Sequence, residues 1–139
     1  MSAPKTASPE EVKALVAEGY VYVDVRTEAE FAAGHPAGAL NVPVSAAGTP
    51  NPEFVPVLDR AFGKDAKLVL GCQAGPRSRR AAALLVQAGF TDVVEMPAGF
   101  GGGRDEFGRP LPGWVQSGLP VETGAPAGQS YSDVKARAR

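Results

Sequence analysis

The stretch Leu68-Val69-Leu70-Gly71-Cys72-Gln73-Ala74-Gly75-Pro76-Arg77-Ser78-Arg79-Arg80 places a thiol where an apolar run meets a short glycine-proline loop. An alanine-rich segment, Ala81 to Val86, then reads as a helix. Cys72 is the only cysteine of the chain. It has no internal disulfide partner, so the chemistry it suggests is nucleophilic or sulfur-carrying. A strand-to-helix loop turns its backbone N–H groups inward, toward a bound anion. Those groups, the positive end of the helix and the nearby arginines favour a thiolate over a thiol. A buried cysteine can be merely a small apolar residue. That reading leaves the glycine, the arginine cluster and the helix start unexplained.

The residues after the thiol divide the work. The amides of Gln73, Ala74, Gly75, Arg77 and Ser78 can cradle an anion as an oxyanion hole does. Gly75 permits close approach and positive φ, and Pro76, lacking an N–H, adds rigidity instead. Arg77 is the candidate for orienting an anionic substrate group, because its guanidinium fork matches such oxygens. Arg79 and Arg80 lie further along the helix, where they steer anions or face solvent. Their angular separation keeps all three arginines from sharing one pocket. His35 is the only histidine; in Gly34-His35-Pro36, just before a short strand, it reads as structural rather than as a base for Cys72. No second histidine or cysteine completes a zinc site. Gly101-Gly102-Gly103 carries neither the dinucleotide fingerprint nor a Walker lysine. No cofactor and no metal is expected.

Alternating elements position these groups. Ser8-Pro9-Glu10-Glu11 is a capped helix start, with Val12, Leu15 and Val16 on its apolar face and Gly19 as its stop. Tyr20 to Val25 is a buried parallel strand. Thr27 and Glu30 form a second capping box for a helix over 28–33. Leu40 to Val42 is a short strand, 44–52 a loop, and 52–62 a helix that Pro56 bends or delays. Lys67 to Gly71 is the central strand, 77–88 a helix ended by Gly89, and Val93 to Met96 the last strand. This alternation makes an α/β domain with a largely parallel sheet, whose ligands sit beyond the carboxyl ends of the strands. Trp114 reads as core or cap.

Composition bounds the rest. The 139 residues suit one domain with a real core, and the net charge of −1 points to neither nucleic acid nor an acidic membrane surface. No stretch is apolar enough to span a bilayer, and no secretory signal is visible. A lone unpaired cysteine favours a reducing compartment, so the cytoplasm is the expected location. Residues 1–122 read as the domain. Residues 123–139 read as a linker and a marginal C-terminal helix that docks on the domain or on a neighbouring subunit.

The Cys72 loop resembles the active-site loop of the rhodanese-like sulfurtransferases. Two further segments agree in order: Val23-Asp24-Val25-Arg26-Thr27, with Glu30-Phe31 and Gly34-His35-Pro36-Ala37-Gly38-Ala39-Leu40-Asn41-Val42-Pro43, and then Trp114-Val115-Gln116-Ser117-Gly118-Leu119-Pro120-Val121. The resemblance implies a five-stranded, mainly parallel sheet flanked by helices. It implies an enzyme that moves a sulfane sulfur from thiosulfate, or a similar donor, to cyanide or a thiol through a Cys72 persulfide. A persulfide relay for sulfur trafficking, using a partner protein, is the alternative; a non-catalytic binding module ranks below both. Asp24 and Arg26 become a charged pair bracing the loop. Phosphatases and arsenate reductases of the same fold separate cysteine and arginine by five residues, whereas four separate Cys72 from Arg77. The shorter loop suits one sulfur and is too tight for a phosphate. The link between Gly99 and Trp114 is longer than the family's usual one and reads as a surface loop on the active-site side.

Overall fold

The structure, a computed structural model, describes residues 4–137. Five strands form the central sheet: β1 (Lys5–Thr6), β2 (Val21–Asp24), β3 (Leu40–Asn41), β4 (Lys67–Gly71) and β5 (Asp92–Glu95). Their order is β1-β5-β4-β2-β3, and every pairing is parallel. All five carboxyl ends therefore point the same way. The register sets Asp24 opposite Gly71, and Leu70 opposite Glu95. Cys72 thus leaves the middle of the sheet between Asp24 and Glu95.

The helices begin where local chemistry starts them. α1 (Pro9–Ala17) and α2 (Glu28–Ala33) each carry a full capping box, Ser8 with Glu11 and Thr27 with Glu30. α3 (Phe54–Phe62) begins two residues later than expected. Pro56 then falls in its first turn, where an N–H has no intrahelical acceptor to lose. α4 (Pro76–Gln87) runs from the loop after Cys72, and α5 (Tyr131–Arg137) closes the described chain.

Alternation along the strands builds a core on each face of the sheet. Leu68 and Leu70 face one side with Val23, Phe54, Leu58 and Leu85; Val69 faces the other with Val12, Tyr22, Phe31, Val94 and Trp114. α5 joins the first core through Tyr131 and Val134, packing on α3 and β3. A helix this short is marginal alone, so it is the packing that holds it.

Three small pairings were not visible in the sequence pattern. His35–Pro36 pairs with Val121–Glu122, Ser45–Ala46 with Thr49–Pro50, and Gly103–Arg104 with Pro110–Leu111. The last makes a β-hairpin of what reads in sequence as an open loop. Asp105 builds its turn by accepting from the amides of Phe107 and Arg109. Among the described residues no helix is long and apolar enough to cross a membrane.

Candidate active site

Cys72 follows β4 directly and is 1% exposed. Its sulfur accepts the Gly75 amide at 3.1 Å and lies 3.6 Å from Ser78 Oγ. Ser78 in turn donates to the Gly75 carbonyl at 2.9 Å, tying the first turn of α4 to the loop. Gly75 has φ +116°, and a Cβ there would lie 2.8 Å from the Pro97 carbonyl oxygen. No other residue type fits both demands. With Pro76 as the first residue of α4, the amides of Arg77 and Ser78 lie in the first turn, where a helix leaves donors free. The loop therefore offers the sulfur one engaged amide and the positive end of α4.

Asp24 and Arg26 are buried, 1% and 3% exposed. Arg26 Nε and Nη2 donate to the Asp24 carboxylate at 2.7–3.1 Å, and Nη2 also donates to the Gly34 carbonyl. Its Nη1 reaches Gln73 Oε1 at 3.0 Å. The guanidinium also stacks on Phe100, 4.7 Å from the ring centre. The pair thus touches the loop through a side chain, Gln73, for which the sequence suggested only a backbone role. Asn41 Nδ2 fixes the same turn by donating to the carbonyls of Asp24 and Arg26.

Arg77 is held from the other side. Its two terminal nitrogens donate to both oxygens of Glu30, at 2.6 and 2.9 Å. This contact lowers the Glu30 carboxyl to about 2, from an ordinary 4.5. Glu30 is also the main reason Arg77 sits above its usual value; the Cys72 sulfur adds a smaller attraction. The fork expected to meet a substrate anion is therefore occupied by a carboxylate, while its charge still reaches the sulfur. Sequence reading found Glu30 as a capping residue and missed this second duty. The two residues lie 47 positions apart, and no local pattern records such a pairing.

The glycines after β5 were also missed as site residues. Phe100 N donates to the Cys72 carbonyl at 2.8 Å, and Gly101 N to the Gln73 carbonyl at 3.0 Å. A Cβ on Gly99 would meet the Gln73 carbonyl at 2.5 Å, and one on Gly103 would meet the Pro97 and Ala74 carbonyls at 2.5 and 2.9 Å. Backbone therefore packs against backbone along the whole loop. The hairpin that follows encloses a cleft of about 790 Å³, which it shares with Ala74, Pro76 and Arg79. Arg80 is exposed.

His35 is fully buried and stacks on Phe31 at 3.7 Å. One ring nitrogen faces the Phe31 carbonyl at 2.7 Å, the other Glu122 at 3.0 Å. Both nitrogens are spent on structure. Trp114 caps the core, edge-on to Tyr22, with its indole N–H donated to the Pro120 carbonyl. Among the described residues no group of His, Cys, Asp and Glu has the arrangement of a metal site.

The family model for the rhodanese-like domain matches residues 8–105. The chain belongs to the rhodanese-like family. It is 34% identical over 123 residues to thiosulfate sulfurtransferase 16, chloroplastic, of Arabidopsis thaliana, covering 86% of this chain and 93% of the relative. It is 40% identical over 102 residues to the thiosulfate sulfurtransferase GlpE of Pseudomonas fluorescens (strain SBW25), covering 72% and 84%. Among solved structures, the crystal structure of Rv0390 from M. tuberculosis superimposes with a TM-score of 0.73 at 28% identity, over 88% of this chain and all of that one. This rhodanese is accordingly an enzyme of the sulfurtransferase type.

Proposed function

We propose that this rhodanese takes the outer sulfur of thiosulfate onto Cys72 and passes it to cyanide or a thiol. The observation that carries the reading is the Cys72 sulfur itself. It lies at the carboxyl end of the central strand, holding the Gly75 amide at 3.1 Å and facing the start of α4. The relatives named thiosulfate sulfurtransferase support the choice of donor.

In the first half-reaction the Cys72 thiolate attacks the outer sulfur of thiosulfate. A sulfur–sulfur bond forms at Cys72, the bond within thiosulfate breaks, and sulfite leaves with its electron pair. The outer sulfur then stands about 2 Å beyond Sγ, carrying the negative charge toward the loop amides and the helix end. In the second half-reaction cyanide attacks that sulfur. Thiocyanate leaves, and Cys72 recovers the bonding pair as a thiolate. No proton, oxidant or metal is consumed in either step. Arg77, fixed by Glu30, contributes a positive charge of set position to both.

Intact mass after incubation with thiosulfate tests the carrier state; the expected result is a gain of one sulfur atom on the wild type and none on Cys72→Ala. The alanine variant is expected to lose turnover while its stability falls by only about 1–2 kcal/mol. Wild-type turnover in that variant would remove the covalent step. A persulfide that forms but reacts with neither cyanide nor thiols would instead favour relay to a protein partner.

A further inference from the structure

Glu95 is a buried acid that the packing of the sheet does not account for. It ends β5, is 8% exposed, and its Oε2 has no hydrogen-bond partner among the described residues. A carboxylate buried for structure alone is ordinarily paired, as Asp24 is with Arg26. Glu95 has no such partner. Arg79 attracts it from α4, but that side chain is exposed, and the two form no ion pair among the described residues. An unpaired charge in such a place is costly, and a proton removes the cost.

The sheet puts this acid on the same face as the reactive sulfur. Glu95 lies opposite Leu70 in the register, and side chains alternate along a strand. Glu95 therefore shares a face with Leu70 and, two residues further on, with Cys72. Both of these lie in the core that also holds Ala81, Ala82 and Leu85 of α4. Ser78, fully buried in the first turn of α4, meets both groups. Its Oγ lies 3.6 Å from Cys72 Sγ, and its hydroxyl interacts with the Glu95 carboxyl. Burial pushes that carboxyl up from its ordinary value, while Arg79 and then Ser78 pull it back. On the remaining neighbour, β1, the residue opposite Glu95 is the uncharged Thr6, and Lys5 belongs to the other face.

We propose that Glu95 is a positioning residue for the reaction: acting through Ser78, it holds the proton that Cys72 gives up, so that thiol and carboxyl share one proton. The proposal rests on the sulfurtransferase reading and names the group that readies the sulfur. The S–H bond of Cys72 breaks, and its electron pair stays on Sγ. The proton passes to Ser78 Oγ, while the Ser78 hydrogen, turned from the Gly75 carbonyl, passes to Glu95 Oε2. Net charge is unchanged, and no co-reactant is needed. With Glu95 neutral, neither the thiolate nor the persulfide faces a second unpaired anion across Ser78. When cyanide removes the sulfur, the thiolate returns with the proton still on Glu95, ready for the next donor.

The test is the pH dependence of Cys72 alkylation by iodoacetamide in the wild type and in Glu95→Gln, which keeps the shape and removes the charge. A shared proton makes the wild-type rate rise in two steps. Glu95→Gln should show one step, at least about one pH unit below the upper wild-type step. A single step in the wild type overturns the proposal, wherever the step of the variant falls. A second readout needs no variant. In wild type labelled with carbon-13 glutamate, one side-chain carboxyl should titrate in the same two steps, and in one step once Cys72 is alkylated. Carboxyls that all ignore the alkylation overturn the proposal as well. The mass gain from thiosulfate separates the two levels. A protein that gains sulfur but alkylates in one step refutes the role of Glu95 alone. One that alkylates in two steps but gains no sulfur keeps the shared proton and refutes the sulfurtransferase mechanism.

Discussion

The Cys72 loop is gripped by two walls built on opposite principles. On the α2 side the grip is ionic. Asp24 holds Arg26, Arg26 holds Gln73, and Glu30 holds Arg77. On the hairpin side it is a fit of backbone to backbone, with Phe100 and Gly101 bonded to the carbonyls of Cys72 and Gln73. The first wall spends its charges on the protein. The second needs none to hold the loop, and so leaves Arg79 and Arg104 for something else. One loop can therefore be rigid and still border an open, positively charged cleft.

The largest expected effect comes from breaking the ionic wall at its buried end. Arg26→Ala leaves the Asp24 carboxylate 1% exposed and unpaired, which costs about 3–5 kcal/mol. Denaturant unfolding should show it as a lower midpoint with an unchanged slope. A cost under about 1 kcal/mol would mean the pair behaves like a surface bridge, and the contrast between the walls would collapse.

Next is the fitted wall. Gly99→Ala puts a methyl group against the Gln73 carbonyl and forces φ +70° on alanine. A cost of about 2–3 kcal/mol follows, together with a fall in kcat/KM as the loop is displaced. Gly108→Ala, at the hairpin tip with nothing within 4 Å of its Cβ, pays only the conformational strain and should leave kinetics near wild type. If the two alanines behave alike, close packing on the loop is not what the glycine provides.

Arg77 distinguishes a structural charge from a substrate contact. Arg77→Ala should lower kcat/KM for thiosulfate about tenfold, or roughly 1.4 kcal/mol. Arg77→Lys should recover only part, since an ammonium keeps the charge but loses the fork that Glu30 fills. Full recovery by lysine would show that charge alone matters.

The smallest effect is at acid pH. The folded-state Glu30 carboxyl lies at about 2 against an ordinary 4.5, so its contribution is present above about pH 4.5 and is lost as pH falls toward 2. The pair is about one-third exposed, and screening reduces its worth to about 1 kcal/mol. Glu30→Gln should remove that much stability at neutral pH and flatten the acid limb of the stability curve across this window. An acid limb identical to wild type would place the coupling elsewhere.

Local chemistry made much of this legible in the sequence. Both capping boxes start helices, Lys67 to Gly71 is a strand to the residue, and Gly89 stops α4 with φ +99°. The thiol, the loop glycine and four of the five sheet strands follow from patterns within a few residues of one another; the fifth strand was implied only by the family resemblance. What stayed hidden depends on distance along the chain. β1 is two residues long and exists only by pairing with β5. Glu30 reads as a cap because its cap partner is three residues away, whereas Arg77 is 47 away. The glycines at 99–103 looked like slack because nothing in a sequence says which backbone will lie against them. The turn signal of the hairpin, Asp105 followed by Gly108, was present but short beside the glycines and prolines around it.

The two margins of the sheet carry a consequence for solubility. A parallel sheet ends in open rows of amides and carbonyls that invite a second chain. At β3 the Asn41 amide is bonded to the Gln129 carbonyl at 2.9 Å, and Gln129 Nε2 donates to the Ala39 carbonyl at 2.9 Å. The segment leading into α5 thus covers that margin like a selvedge. At the opposite margin β1 is only Lys5–Thr6, both exposed, with a lysine where a sticky edge would begin. Among the described residues neither end of the sheet presents a long, flat, apolar row, so a cleft beside Cys72 is exposed there without a matching template for edge-to-edge pairing.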